Sequence, residues 1–175
     1  MKYFLSLLIS LVLSVPFAAS AQSAALSAQD AEFLRKAAVA GMFEMEASQL
    51  AIQSAGEQRV KEFAQVMLVE HECIDGDLKS LAMLRKVELP EELEGDSVVD
   101  LGAVQQMSSA DFDKWYIEHV AVKAHEDAVK LFSEASQTAQ DSEVKAFAGK
   151  NLKLLQEHLD RGKQLAKADA EARSQ

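Results

Sequence analysis

Apolar residues recur at intervals of three and four along most of this chain, and nowhere do they alternate with polar ones over a strand's length. Ser27 and Asp30 have the S-x-x-[DE] spacing of a helix start, and the 3.6-residue period begins at once. A first helix is predicted over about 29–54, breaking near Gly56. A second covers about 58–86, carried by Val60, Phe63, Met67, Ile74, Leu78 and Leu81. Then the pattern fails. Residues 87–108 hold Pro90, Gly95, Gly102 and an acidic cluster of Glu88, Glu91, Glu92, Glu94 and Asp96. They read as a long solvated connection with room for a short helix near 98–105. Ser108 and Asp111 repeat the start signal for a third helix over about 109–136, and a fourth follows over about 141–168. The expected fold class is all-α, a four-helix bundle with the long connection between its second and third helices.

A faint internal repeat supports two related hairpins. A shift of 81 residues places Ser27 on Ser108, Asp30 on Asp111, Glu44 on His125 and Leu50 on Leu131. The tetrad Val60-Lys61-Glu62-Phe63 returns as Val144-Lys145-Ala146-Phe147 at a shift of 84. Two hairpins joined by a long crossover are how ferritin-like bundles are built.

Residues 1–21 stand apart. Lys2 precedes an apolar run from Phe4 to Val15, and Ala19-Ser20-Ala21 offers the small residues that signal peptidase reads. The run is shorter than the ~20 residues that span a bilayer. The expectation is a signal peptide cleaved near Ala21, export to the periplasm, and no integral membrane insertion afterwards. Residues 22–175 then form a single domain, and a lipid anchor at the cleavage site is excluded because the one cysteine is Cys73.

Composition narrows function mainly by exclusion. With 18 Lys+Arg against 28 Asp+Glu the chain carries −10, and its pI is near 4.9. Nucleic acid and anionic membrane surfaces both need a basic patch, so neither is an expected partner. A single cysteine excludes an internal disulfide framework and a Cys-rich zinc finger. Two prolines and seven glycines are few for a sandwich or barrel. A monomer or a homodimer is expected.

Helical wheels show which polar residues face inward. On the first helix Glu44 falls among Phe33, Ala37, Ala40, Ala47 and Ala51, while Glu46 lies on the wet face. On the second, His71 shares the stripe of Val60, Ala64, Met67, Ile74 and Leu78; Glu70 is at its edge and Cys73 points the opposite way. On the third, His125 sits with Ala121, Val122, Val129 and Phe132, with Glu118 two turns away on the same stripe and His119 off to the side. On the fourth, His158 accompanies Phe147, Leu154, Gly162 and Leu165, and Asn151 lies two turns earlier. Counted from the nearest hairpin turn, the four lie about 18–29 Å along their helices at ~1.5 Å per residue, which puts them at similar depth.

One carboxylate and three imidazoles suit a divalent metal in a mixed N/O site, such as zinc, copper, iron or manganese. Glu44, His71, His125 and His158 are the candidate ligands, with Glu118 and Asn151 as possible extras. The alternative is a structural or interaction module in which these residues satisfy one another and fix helix register. A di-iron oxidase needs four carboxylates and two Glu-x-x-His pairs, whereas Leu68, Val122 and Leu155 stand three before the histidines. G-x-S-x-G, Walker-type, H-E-x-x-H and C-x-x-C motifs are all missing, so no enzyme activity is expected. Met67, one turn from His71, reads as packing.

The stretch Ala-Gly-Met-Phe-Glu-Met-Glu at 40–46, then Val60-Lys61-Glu62-Phe63-Ala64, Met67 and Glu70-His71, resembles the bacterial proteins grouped as domain of unknown function 4142. The similarity continues through Leu89-Pro90, Phe112-Asp113, Tyr116, His125, Leu131-Phe132, Phe147-Ala148 and His158-Leu159, covering about residues 28–167. It departs at Glu70, where the family usually has Asp, and in lacking a proline often found in the last helix. These proteins are often labelled predicted outer-membrane proteins and are assigned to the ferritin-like superfamily. The resemblance implies a ferritin-like four-helix bundle of the envelope and brings no established activity. The outer-membrane label fits badly with four helices and no barrel strands.

Overall fold

The computed structural model describes residues 26–174, and over these the chain is all-helical, with no strand among them. The predicted signal peptide lies outside the described residues. Helix α1 spans Ala28–Ser54 and α2 spans Gln58–Arg85. A short α3, Asp96–Val104, lies within the long connection. The third long helical stretch has three parts: α4 (Ser109–Trp115), a π-helical segment (Tyr116–Ala124) and α5 (His125–Thr138). Helix α6 spans Ser142–Arg173, extending past the expected end near 168 because Arg173 and Asp169 pair along its last turn.

Both start signals work as helix caps. Ser27 Oγ accepts the Asp30 N–H at 3.0 Å, and Ser108 Oγ accepts that of Asp111 at 3.3 Å. Buried carboxylates then tie each hairpin turn to the other hairpin. Asp113, at the start of the third stretch, accepts the N–H groups of Gly56 and Glu57 in the α1–α2 turn. Asp30, at the start of α1, accepts those of Gln140 and Asp141 in the α5–α6 turn. The first N–H groups of α6, from Glu143 and Val144, are capped by its own Asp141, so Asp30 serves the turn residues ahead of the helix. Arg85, at the end of α2, closes the same end on Asp141 at 2.9 Å.

Two apolar clusters fill the interior. One joins the N-terminal half of α1, the C-terminal half of α2, α5 and the N-terminal half of α6, around Phe33, Phe132 and Phe147. Their rings meet in edge and tilted contacts with centroids 5.2–6.3 Å apart. The other joins Ala47, Ala51, Val60, Phe63, Met67, Phe112, Tyr116, Ile117 and Leu165. This distribution fixes the chain directions. α1 and α6 run one way, α2 and the third stretch the other, and the two hairpin turns sit at opposite ends. The connection must therefore travel the length of the molecule. Val87 and Leu89 pack on the first cluster, and Leu93, Leu101 and Val104 enter the second.

α6 meets the π segment more closely than a side chain permits. A Cβ on Gly162 would fall 2.0 Å from the Ala121 carbonyl oxygen, whereas one on Gly149 meets nothing nearer than Ser136 Cβ at 4.0 Å. Gly162→Ala is expected to cost about 1–3 kcal/mol through enforced helix separation. Gly149→Ala on the same helix should gain roughly 0.5–1 kcal/mol from helix propensity. Urea unfolding of the two variants beside wild type checks this, and equal effects would contradict the close approach.

Candidate metal centre

Between the two apolar clusters lies a polar layer to which each long helix contributes one side chain. On α1, Glu44 falls between Ala38 of the first cluster and Ala47 of the second; on α2, His71 falls between Ile74 and Met67. On the third stretch His125 separates Ala128 from Ala121, and on α6 His158 separates Leu155 from Leu165. All four are sealed from water: Glu44 is 1% exposed, His71 4%, and His125 and His158 0%.

The three imidazoles form a nearly equilateral triangle. Ring centroids lie 5.5 Å apart for His71–His125, 5.3 Å for His71–His158 and 5.4 Å for His125–His158. One nitrogen from each ring lies within 4.8 Å of the others. Glu44 Oε2 approaches His71 Nε2 at 2.9 Å and His125 Nε2 at 3.7 Å. The first distance is of hydrogen-bond length, but its direction is poor, since neither atom has a partner in hydrogen-bond geometry. Four buried atoms thus lack partners: Glu44 Oε2, His71 Nε2, His125 Nε2 and His158 Nδ1.

The outer nitrogens of two rings are anchored. His125 Nδ1 lies 2.9 Å from the Val120 carbonyl, which only accepts, so Nδ1 carries the proton and Nε2 keeps its lone pair. The carbonyl five residues back is within reach because the chain there is π-helical. His158 Nε2 donates to Glu70 Oε2 at 2.5 Å, which leaves Nδ1 as the free lone pair. Beside Glu44, the hydroxyls of Ser48 and Tyr116 share a buried hydrogen bond of 2.8 Å. Burial pushes the Tyr116 phenol well above its ordinary range.

Charge in the layer is set by competition between burial and neighbours. Burial alone would raise the Glu44 carboxyl, but His71, His125 and His158 together hold it below its ordinary value. Burial would lower His71, yet Glu44 beside it raises the imidazole overall. His158 goes the other way. Burial drives it down to about 4, the Glu70 hydrogen bond offsets only part of that, and the charges of His71 and His125 oppose protonation further.

The two expected extra ligands are not there. Glu118 is exposed, its side chain 55% accessible, and lies 3.9 Å from Lys114 on the surface. The wheel that put it on the His125 stripe assumed α winding. Through a π segment each residue turns by only ~80° rather than ~100°, so seven steps land Glu118 on the opposite side. The buried positions record the change, falling at Phe112, Tyr116, Val120 or Ala121 and His125 before resuming Ala128 and Phe132. Asn151 is buried, but its amide donates to the Phe147 carbonyl at 3.0 Å, one turn back in its own helix. Glu70, read as an edge residue, instead reaches across to His158. Cys73 is exposed, away from the layer.

The sequence matches the family model described as Domain of unknown function (DUF4142) over residues 15–165, and the chain belongs to that family. Nothing matches it among curated proteins or among solved structures. No helix among the described residues is long and apolar enough to cross a membrane.

The polar layer has its own pH signature. A histidine whose folded pKa is below its unfolded value of 6.5 leaves stability intact above that value and lowers it as the pH falls towards the folded value near 4. The cost of keeping His158 neutral should reach on the order of 3 kcal/mol at pH 4. Chelator-treated wild type and His158→Gln, unfolded in urea from pH 4 to 8, should differ by a constant above pH 6.5. The difference should shift in favour of the variant below it, and parallel curves throughout would contradict a buried neutral imidazole.

Proposed function

We propose that this protein is an exported ferritin-like four-helix bundle of the bacterial envelope, one domain over residues 22–175, that binds a single divalent metal ion. The ligands are Glu44 Oε2, His71 Nε2, His125 Nε2 and His158 Nδ1. The observation that carries the reading is one nitrogen from each of three sealed imidazoles within 4.8 Å of the others, with Glu44 Oε2 2.9 Å from His71 Nε2 and 3.7 Å from His125 Nε2, and four buried atoms here without a hydrogen-bond partner. Buried polar atoms in folded proteins nearly always find partners, and one cation answers all four at once. The ferritin-like assignment rests on the two antiparallel hairpins and the connection that runs the molecule's length, together with the family's resemblance.

Three imidazoles and one carboxylate make a complete tetrahedral set for zinc, and also suit copper, iron or manganese. Bonds of about 2.0–2.1 Å would bring ligand atoms to about 3.3 Å from one another, so imidazole nitrogens now up to 4.8 Å apart close inward by roughly an ångström. A di-iron centre is not supported, because among the described residues Glu44 is the one buried carboxylate against the imidazoles. The competing reading, a register-fixing polar network without metal, draws on the 2.9 Å approach of His71 to Glu44 as an ion pair. It leaves His125 Nε2 and His158 Nδ1 unanswered.

Thermal melts separate the two. Wild type purified without a tag should melt several degrees higher with zinc, copper, iron or manganese than with chelator, since a ligand of the native state stabilises it by RT ln(1 + [L]/Kd). His158→Leu should abolish that rise. A wild-type melt that none of the four ions moves would end the metal reading and leave the polar network.

Export is tested separately. Periplasmic extracts should contain the mature protein, shorter by about 21 residues and free of membranes after a salt wash. Full-length chain recovered in the inner membrane would show that residues 1–21 are an anchor.

A further inference from the structure

A ligating histidine uses one ring nitrogen for the ion, and the other must be held for the ring to keep its tautomer and angle. In this layer the holders differ in kind. His125 is held by a backbone carbonyl of its own stretch, Val120 O, which can neither titrate nor leave. His158 is held by a side chain of another helix, Glu70 of α2, across the α2–α6 seam. Glu70 precedes His71 in sequence, so two neighbouring residues of α2 address two different imidazoles, one from inside the triangle and one from outside it.

Glu70 differs from every other member of the cluster in exposure. Its side chain is 36% accessible, whereas the ligand side chains are at most 4%. Among the described residues it pairs with no lysine or arginine, and its only ion-pair contact is His158. The neighbouring surface carboxylates Asp75 and Asp77 are both taken up by lysines.

We infer that Glu70 is the positioning residue for the metal-facing nitrogen of His158. By accepting the hydrogen bond from Nε2–H it fixes the tautomer that presents Nδ1 inward, and its negative charge makes that nitrogen a stronger electron-pair donor. The inference rests on the metal reading above and extends it by one residue outside the ligand set. Loss of such an outer partner typically weakens metal affinity about 10–100-fold while the ligands themselves remain.

The test uses the full mature chain with Co(II) and Zn(II), comparing wild type with Glu70→Gln, Glu70→Ala and Glu70→Asp. Glu118→Gln, at an exposed carboxylate outside the layer, is the control. Competition against a chromophoric chelator gives Kd and stoichiometry, the visible Co(II) spectrum reports coordination, and imidazole ¹⁵N shifts of the metal-free protein report the His158 tautomer. Glu70→Ala should keep one ion per chain but bind it about 10–100-fold more weakly, with an altered Co(II) spectrum and a mixed His158 tautomer. Glu70→Gln, which keeps an acceptor but no charge, should fall between, and Glu70→Asp should recover part of the loss. The isosteric Gln variant carries the test if the Ala variant folds poorly. Wild-type binding with an unchanged Kd and His158 tautomer in Glu70→Gln and Glu70→Ala would overturn the inference while leaving the metal site standing. Wild type that takes up neither ion would overturn the role of Glu70, and melts that copper, iron and manganese also fail to raise would remove the metal reading with it.

Discussion

A carboxylate closed off from water must be answered by positive charge or by donors, and Glu44 imposes that demand at the middle of this molecule. The three imidazoles are arranged around that demand. Each half of the interior is ordinary apolar packing that tolerates sliding and substitution. The polar layer between the halves does not. If any one long helix slipped by a residue, a charged or imidazole group would turn into one of the apolar clusters and strand its former neighbours. The layer therefore specifies the relative height of all four long helices, which hydrophobic burial alone leaves loosely defined.

How far the site was legible follows the regularity of each helix. Glu44, His71 and His158 lie in continuous α winding, and drawing that winding at 100° per residue places them inward. His125 begins α5, so its wheel holds for the residues after it and drifts through the π segment before it, where Ala121 is still buried and Glu118 is not. Glu118 was lost there. Nothing in Tyr116–Ala124 marks i→i+5 bonding, because the choice between α and π depends on what the segment packs against. Glu70 was visible only as an edge residue, since its pairing depends on the distance between α2 and α6.

The capping signals show the same division between local and distant information. Ser27 and Ser108 were readable because an N-cap bonds to a residue three positions on. The destinations of Asp30 and Asp113 were not, since each carboxylate caps a turn of the opposite hairpin. The repeat aligned Asp30 with Asp111, and the working counterpart is Asp113, two residues further along. Both hairpins thus solve the same problem in the same way, each supplying the acceptor that the other's turn lacks.

Gly162 makes one wall of the layer rigid. Where α6 rests on the Ala121 carbonyl, backbone touches backbone, one turn from His158 and one turn from His125. No rotamer change relaxes such a contact, so the two backbones that carry these rings cannot approach further. The adjoining side is different. Along the α1–α5 seam runs a groove of about 770 Å³, lined by Val39, Phe43, Ala124, Ala128 and Leu131 with the charged Glu32, Asp100 and Lys123, and Glu44 borders it. One flank of the layer is thus close-packed backbone and the next is open groove, so the layer can yield towards α1 but not across the α6 contact.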